Sequence, residues 1–200
     1  IRVVNNTTVV NPAWSATGPF CVTNNSCIDL DALVTGTPNG IFTGHGVSVD
    51  GAHPDYCFNP ATAGVGTHAV TYTVNSPDGC SASFTRNIEV AAQCDATITG
   101  NNTNWGCYPS SSFRVSSFGP RYDFDLSRFY TSTTTRGGTW TITPGGSGVG
   151  VIQNETLLGG PGCYTLNYSV TCPPCAPVNS TINIRIVEKP TPVFDLTEEA

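Results

Sequence analysis

Two stretches of this chain alternate between apolar side chains and short polar ones. In residues 66–74, Val70, Tyr72 and Val74 alternate with threonines, and residues 162–170 repeat the pattern. A period of two residues is typical of a half-buried β-strand. The shift from residue 66 to residue 162 is 96 positions, so we interpret the chain as two copies of one module.

Shorter strands and turns precede each long strand. In the first copy, residues 27–30 and 32–34 predict an early strand, and Asn39-Gly40 predicts a two-residue turn before a strand at 41–43. Residues 81–90 predict the last strand of this copy. Short strands with regularly spaced turns predict an all-β fold of two tandem immunoglobulin-like antiparallel β-sandwiches, with almost no helix.

The apolar pattern of Ile1, Arg2, Val3 and Val4 matches the strands at 87–90 and 184–187, which close the two copies. This predicts a strand that ends a preceding module or is donated to a neighbouring subunit. The remaining limits follow from turns and from the Pro-rich stretch after Glu188. We expect a junction strand and linker at 1–20, sandwiches at 21–93 and 94–188, an insertion at 116–137 and a linker at 189–200.

Composition narrows the range of partners. Charged residues form 11% of the chain and the net charge is −6, so the surface must owe its polarity to hydroxyl and amide groups. Without a basic patch, nucleic acid is not an expected partner. No apolar run approaches the length of a membrane span, so we expect no membrane insertion.

Nine cysteines in a chain of small β-domains indicate an oxidising compartment, and we expect an extracellular, cell-surface location. Four in the first copy could form two bridges in three connectivities, and five in the second leave one over, either free or joined to a neighbour. Cys172-Pro-Pro-Cys175 has redox or zinc spacing without the matching context, so a local or sandwich-stapling disulfide beside a hairpin turn is favoured. The cysteines are Cys21, Cys27, Cys57, Cys80, Cys94, Cys107, Cys163, Cys172 and Cys175.

Candidate chemical sites are weak. Asp29 with Asp31, and Asp123 with Asp125, could place carboxylates on one face of a strand for calcium, but solvated turns explain them better. No serine lies in a nucleophile elbow, and we predict no enzyme activity, cofactor or metal. The aromatic insertion supplies exposed contact candidates, or side chains that complete a core. These candidates are Arg121, Tyr122, Phe129 and Tyr130.

The first copy resembles a known family through three segments. These are Gly44-His45-Gly46-Val47, the stretch from Phe58-Asn59-Pro60-Ala61 to Tyr72, and Gly79-Cys80. They resemble the immunoglobulin-like repeats of SprB-type gliding adhesins and other secreted surface proteins of Bacteroidetes. The second copy keeps Gly138-Thr139-Trp140 but lacks the Phe-x-Pro-Ala segment. The resemblance implies an exported adhesive or filament-building repeat, and bridges from Cys27 to Cys80 and from Cys21 to Cys57.

We therefore expect a structural or adhesive repeat segment of an extracellular surface protein or filament. Its partners would be neighbouring modules or identical subunits in a linear array, and surface glycans are a further candidate. The alternative is a carbohydrate-binding accessory module of a secreted enzyme. That alternative needs a planar set of exposed aromatic rings, for which Trp14, Trp105, Tyr108 and Tyr130 are the available residues.

Overall fold

The computed structural model describes residues 9–50, 55–100, 112–116, 123–143, 148 and 150–187. The chain divides between Gln93 and Cys94 into two compact units, here called the first and second units, and Cys172–Ala176 belongs to the first. That segment departs from the predicted limits, which placed it in the second sandwich. The strand predicted at Ile1–Val4 and the linker predicted at 189–200 lie outside the described residues.

The first unit contains two sheets. Its four-stranded sheet has the order β1-β7-β6-β3, with β1 parallel to β7, and its three-stranded sheet has the order β2-β5-β4. A single turn of helix, α1, spans Pro60–Ala63. The strands are β1 Phe20–Cys21, β2 Ile28–Asp29, β3 Ile41–Gly44, β4 Val47–Asp50, β5 Asp55–Phe58, β6 Gly66–Asn75 and β7 Ser81–Ala91.

The second unit repeats this strand order. Its sheets run β8-β14-β13-β10 and β9-β12-β11, and β8 is again parallel to the last strand. The central pair begins with Gly66 opposite Val90 in the first unit and with Gly162 opposite Ile186 in the second. The strands are β8 Ser112–Ser116, β9 Asp123–Asp125, β10 Thr139–Thr143, β11 Gly150–Gln153, β12 Thr156–Gly159, β13 Gly162–Val170 and β14 Val178–Val187.

Side chains from both sheets form the core of the first unit. Val70, Tyr72 and Val74 point inward from β6, and the ring of Phe42 on β3 lies 5.8 Å from Tyr56 on β5. This alternation confirms the long strand predicted at 67–74. The all-β class is also confirmed, because α1 is the one α-helix of the described residues and nearly all their other elements are strands. Within the same residues, no helix has the length and apolarity that a membrane crossing requires.

A tyrosine hydroxyl clamps the loop before β3 and its counterpart before β10. Tyr72 Oη accepts a hydrogen bond from Gly40 N and donates one to Thr37 O, both at 2.8 Å. In the second unit, Tyr168 Oη accepts from Gly138 N at 3.0 Å and donates to Thr135 O at 2.5 Å. We call each of these arrangements a tyrosine clamp. The repeat visible in the sequence therefore extends to individual hydrogen bonds.

Two elements differ from the sequence-based expectation. The early strand is short, because the Asp29 carboxylate accepts hydrogen bonds from Asp31 N and Ala32 N and turns the chain into a 3-10 helix at Asp31–Leu33. The prediction that residues 116–137 form an insertion absent from the first copy is wrong. This segment holds β9 and a 3-10 helix at Leu126–Phe129, the counterparts of β2 and the first 3-10 helix at a shift of 95.

Candidate functional site: disulfide staples and exposed strand edges

A disulfide joins two neighbouring strands of the first unit. Cys27 precedes β2, and Cys57 lies on β5 opposite Asp29, two positions from Cys27. Their Cα atoms are 5.3 Å apart in the bonded pair. Closing this loop of 30 residues stabilises the fold by about 4 kcal/mol in the chain-entropy model, as an upper value.

A second disulfide closes most of the chain into a ring. Cys21 on β1 is bonded to Cys175, with a sequence separation of 154 and a Cα–Cα distance of 4.8 Å. Both residues are buried, and the Gln93 side chain donates a hydrogen bond to Ala176 O at 2.9 Å beside them. The chain-entropy model gives about 5 kcal/mol for a loop of this length. We call this bond the ring disulfide.

The observed pairing corrects the expected one. The predicted bridges Cys27–Cys80 and Cys21–Cys57 are wrong, because the pairing of β2 with β5 brings Cys57, and not Cys80, beside Cys27. Cys80 lies in the turn between β6 and β7, where it is exposed and free. The leftover thiol of the described residues is therefore in the first copy, while the sequence placed it in the second.

The Cys172-x-x-Cys175 pair is not bridged within itself. Cys175 is bonded to Cys21. Of the two disulfides considered for this pair, the structure has the one that staples the sandwich and not a local bond between Cys172 and Cys175. Cys94, Cys163 and Cys172 are also disulfide-bonded, and Cys107 lies outside the described residues.

Two of the contact candidates, Phe129 and Tyr130, contribute to the core of the second unit. Phe129 is 1% exposed, so it is not an exposed contact residue. Tyr130 is half-buried, and its hydroxyl donates to Glu155 Oε1 at 2.6 Å and accepts from Trp140 Nε1 at 3.0 Å. Burial, then the bond to Glu155, raises the pKa of Tyr130 above its ordinary value. Arg121 and Tyr122 lie outside the described residues.

The aromatic platform of the carbohydrate-binding alternative loses two members. Trp14 is 1% exposed, and its indole Nε1 donates to Phe84 O at 3.1 Å inside the first unit. Tyr130 is committed to the contacts just described. Trp105 and Tyr108 lie outside the described residues.

Asp29, Asp31 and Asp125 accept hydrogen bonds from backbone N–H groups, and the side chain of Asp123 lies outside the described residues. Asp31 Oδ2 accepts from Tyr56 N at 2.6 Å, and Asp125 Oδ1 accepts from Ser127 N at 2.8 Å. The bonds to Ser127 lower the pKa of Asp125, and those to Thr97 and Thr133 lower that of Asp95. In the part of the chain that the structure describes, no three His, Cys, Asp or Glu side chains are grouped to hold a metal ion.

The outward faces of the four-stranded sheets are rich in hydroxyl and amide groups. On the first unit, the Thr71 and Thr85 hydroxyls lie 2.7 Å apart on neighbouring strands. This agrees with the surface expected from the low fraction of charged residues. The other short polar residues of these faces include Thr43, Thr67, Thr73 and Ser83 in the first unit and Thr139, Thr141, Asn167, Ser169, Asn179 and Thr181 in the second.

Exposed valines occupy equivalent positions on two sheet edges. β4 and β11 are each the last strand of a three-stranded sheet. Val49 on β4 is 58% exposed and Val151 on β11 is 60% exposed. An edge strand offers backbone groups for pairing with another chain, and an apolar side chain there favours contact. Sequence reasoning missed these valines, although their shift of 102 equals that of Gly46 and Gly148.

Comparison with known proteins assigns no family. No family model matches the sequence, and no curated protein matches it. Among solved structures, the extracellular cadherin domains 1–5 of protocadherin gamma B2 are similar over 92% of this chain at 7% identity, with a TM-score of 0.41. This chain spans 42% of that one. An identity and a TM-score this low establish neither family nor function.

Proposed function

We propose that this chain is a structural or adhesive segment of an extracellular protein, built from two tandem immunoglobulin-like modules and without enzyme activity. Its partners are other modules or copies of the same chain in a linear array. The repeated strand order and the seven disulfide-bonded cysteines among the described residues support this role. Disulfides of this number are typical of small domains outside the cell.

The ring disulfide is the observation that carries the proposal. A pulling force applied to the two ends of the chain reaches Cys21 and Cys175 and passes through their bond. The residues between them cannot be extended while the bond is intact. A segment that holds its length under tension is what a surface filament or adhesive stalk requires.

Single-molecule pulling from the two termini tests this mechanical role. In oxidising buffer, we expect extension only of residues outside the ring. Reduction breaks the ring disulfide, so the residues between Cys21 and Cys175, which are 154 positions apart, become extensible. At about 3.3–3.6 Å per residue, this adds about 500 Å of contour length.

A pair of variants identifies the bond responsible. Cys21→Ser with Cys175→Ser lengthens the oxidised extension. Cys27→Ser with Cys57→Ser leaves it unchanged, because that bridge lies inside the ring. If the wild-type extension is equally long with and without reductant, the mechanical role is wrong.

A further inference from the structure

Two histidines of the first unit lie close together. His45 is exposed in the turn between β3 and β4, and His68 is half-buried on β6. Their ring centroids are 5.8 Å apart, at an interplanar angle of 35°. Neither ring is used by the disulfides, the tyrosine clamps or the exposed edges. Their proximity therefore needs its own explanation.

One ring nitrogen of His68 is fixed by a hydrogen bond. His68 Nε2 lies 2.8 Å from Gly64 O, and since a carbonyl only accepts, Nε2 carries the proton and donates. In the neutral ring, Nδ1 then has a free lone pair. Within the described residues, the bond to Gly64 is the one hydrogen bond the ring makes. A backbone carbonyl holding one nitrogen while the other faces a ligand is the usual support of a metal-binding histidine.

Packing also restrains the His68 ring. The centroid of the Phe58 ring, which is fully buried in the core, lies 6.1 Å from that of His68. His45 sits between Gly44 and Gly46, where a glycine φ of 83° at Gly46 shapes the turn that presents it. One ring is thus held in place and the other is accessible.

We propose that His45 and His68 bind one divalent transition-metal ion, such as Cu²⁺, Ni²⁺ or Zn²⁺. A metal bonded to one nitrogen of each ring at about 2.0–2.1 Å holds the two ring centroids about 4.5 Å apart at a nitrogen–metal–nitrogen angle of 90° and about 6.4 Å apart at 180°. The observed separation of 5.8 Å lies within this range. Imidazole suits these ions, and hard cations such as Ca²⁺ prefer oxygen ligands. Water fills the remaining coordination positions.

Titration of the full chain with CuCl₂, NiCl₂ and ZnCl₂ in a non-chelating buffer tests the site. The exposed Cys80 thiol is first alkylated with iodoacetamide, so that it cannot bind or reduce copper. We expect one ion per chain, with Cu²⁺ bound most tightly, and release by EDTA. Electron paramagnetic resonance of the Cu²⁺ complex should show nitrogen ligands.

Single substitutions then locate the ligands. His45→Ala and His68→Ala should each weaken Cu²⁺ binding at least tenfold. His53→Ala, which removes the third histidine of the chain, should leave it unchanged. His45 lies in an exposed turn, so its variant keeps the fold even if His68→Ala does not, as circular dichroism will show. Unchanged binding by His45→Ala, or loss of binding by His53→Ala, would overturn the proposal.

Discussion

At the scale of single residues, the tyrosine clamps explain why a glycine precedes β3 and β10. A Cβ on Gly40 would collide with the Tyr72 ring and with Thr73 O, and one on Gly138 would collide with Ser169 O and the Tyr168 ring. The close approach lets the glycine N–H reach the tyrosine hydroxyl. Each clamp thus fixes the loop that leads into an aromatic core residue, Phe42 in one unit and Trp140 in the other.

Removing a clamp hydroxyl should destabilise the protein. Tyr72→Phe leaves Gly40 N and Thr37 O without their partner, and we expect a loss of about 1–3 kcal/mol in unfolding free energy. Thermal and urea unfolding measure it. Tyr56→Phe is the matched control, because the Tyr56 hydroxyl makes no hydrogen bond to a described residue. Equal effects of the two variants would show that the clamp contributes nothing.

At the scale of elements, carboxylates decide where short strands end. Asp125 caps the 3-10 helix at Leu126–Phe129 through Ser127 N, just as Asp29 turns the chain after β2. Leu126 and Phe129, which this turn carries, are both buried in the core. The cap therefore stabilises the turn that carries two core side chains.

The Asp125 cap should make stability depend on pH. Its pKa is lowered in the folded protein, so its contribution is present above the unfolded value of about 4 and is lost as pH falls below it. Asp125→Ala should cost about 1 kcal/mol at neutral pH. Asp125→Asn keeps an acceptor without the charge, and its difference from wild type should vanish in acid.

Urea unfolding between pH 3 and pH 7 follows this dependence. Glu89→Gln serves as the control, because Glu89 is an exposed carboxylate on β7. A difference between wild type and Asp125→Asn that stays constant down to pH 3 would contradict the assigned cause.

The long strands could be predicted because their pattern is local. Alternation in residues 67–74 is sufficient to identify β6. The two-residue turn predicted at Asn39-Gly40 is wrong: Asn39 has a φ of 63°, but Gly40 does not share the positive φ, and β3 pairs with β6 and not with a strand before the loop. The disulfides could not be predicted in this way. They depend on which strands become neighbours, and Cys21 meets a residue 154 positions away. The glycines of the two tyrosine clamps, Gly40 and Gly138, recur in the sequence repeat, but only the fold shows which tyrosine hydroxyl each of them contacts.

At the scale of the whole molecule, the repeat gives the chain two exposed sheet edges of the same kind. Two edge strands carry equivalent exposed valines, so a chain can contact a second copy at two places of the same kind. Weak contacts that act together strengthen association when their spacing permits both. This suits the proposed linear array.

Charging the edges should weaken self-association. Val49→Lys with Val151→Lys places a solvated cation on each edge strand, and we expect the concentration-dependent mass in sedimentation velocity to fall towards that of the monomer. Val65→Lys is the control, since Val65 is 59% exposed but lies outside the strands. A wild-type chain that stays monomeric at every concentration would contradict the edge contact.

The ring disulfide changes what proteolysis does to the chain. Between Cys21 and Cys175 the chain is a covalent macrocycle, so a single backbone cut inside it opens the ring without producing two separate pieces. The two parts of the cut chain remain joined by the disulfide. The strands before and after the cut therefore keep a high effective concentration relative to each other. A nicked copy can therefore keep its place in an array, and only a reductant or a second cut releases a fragment.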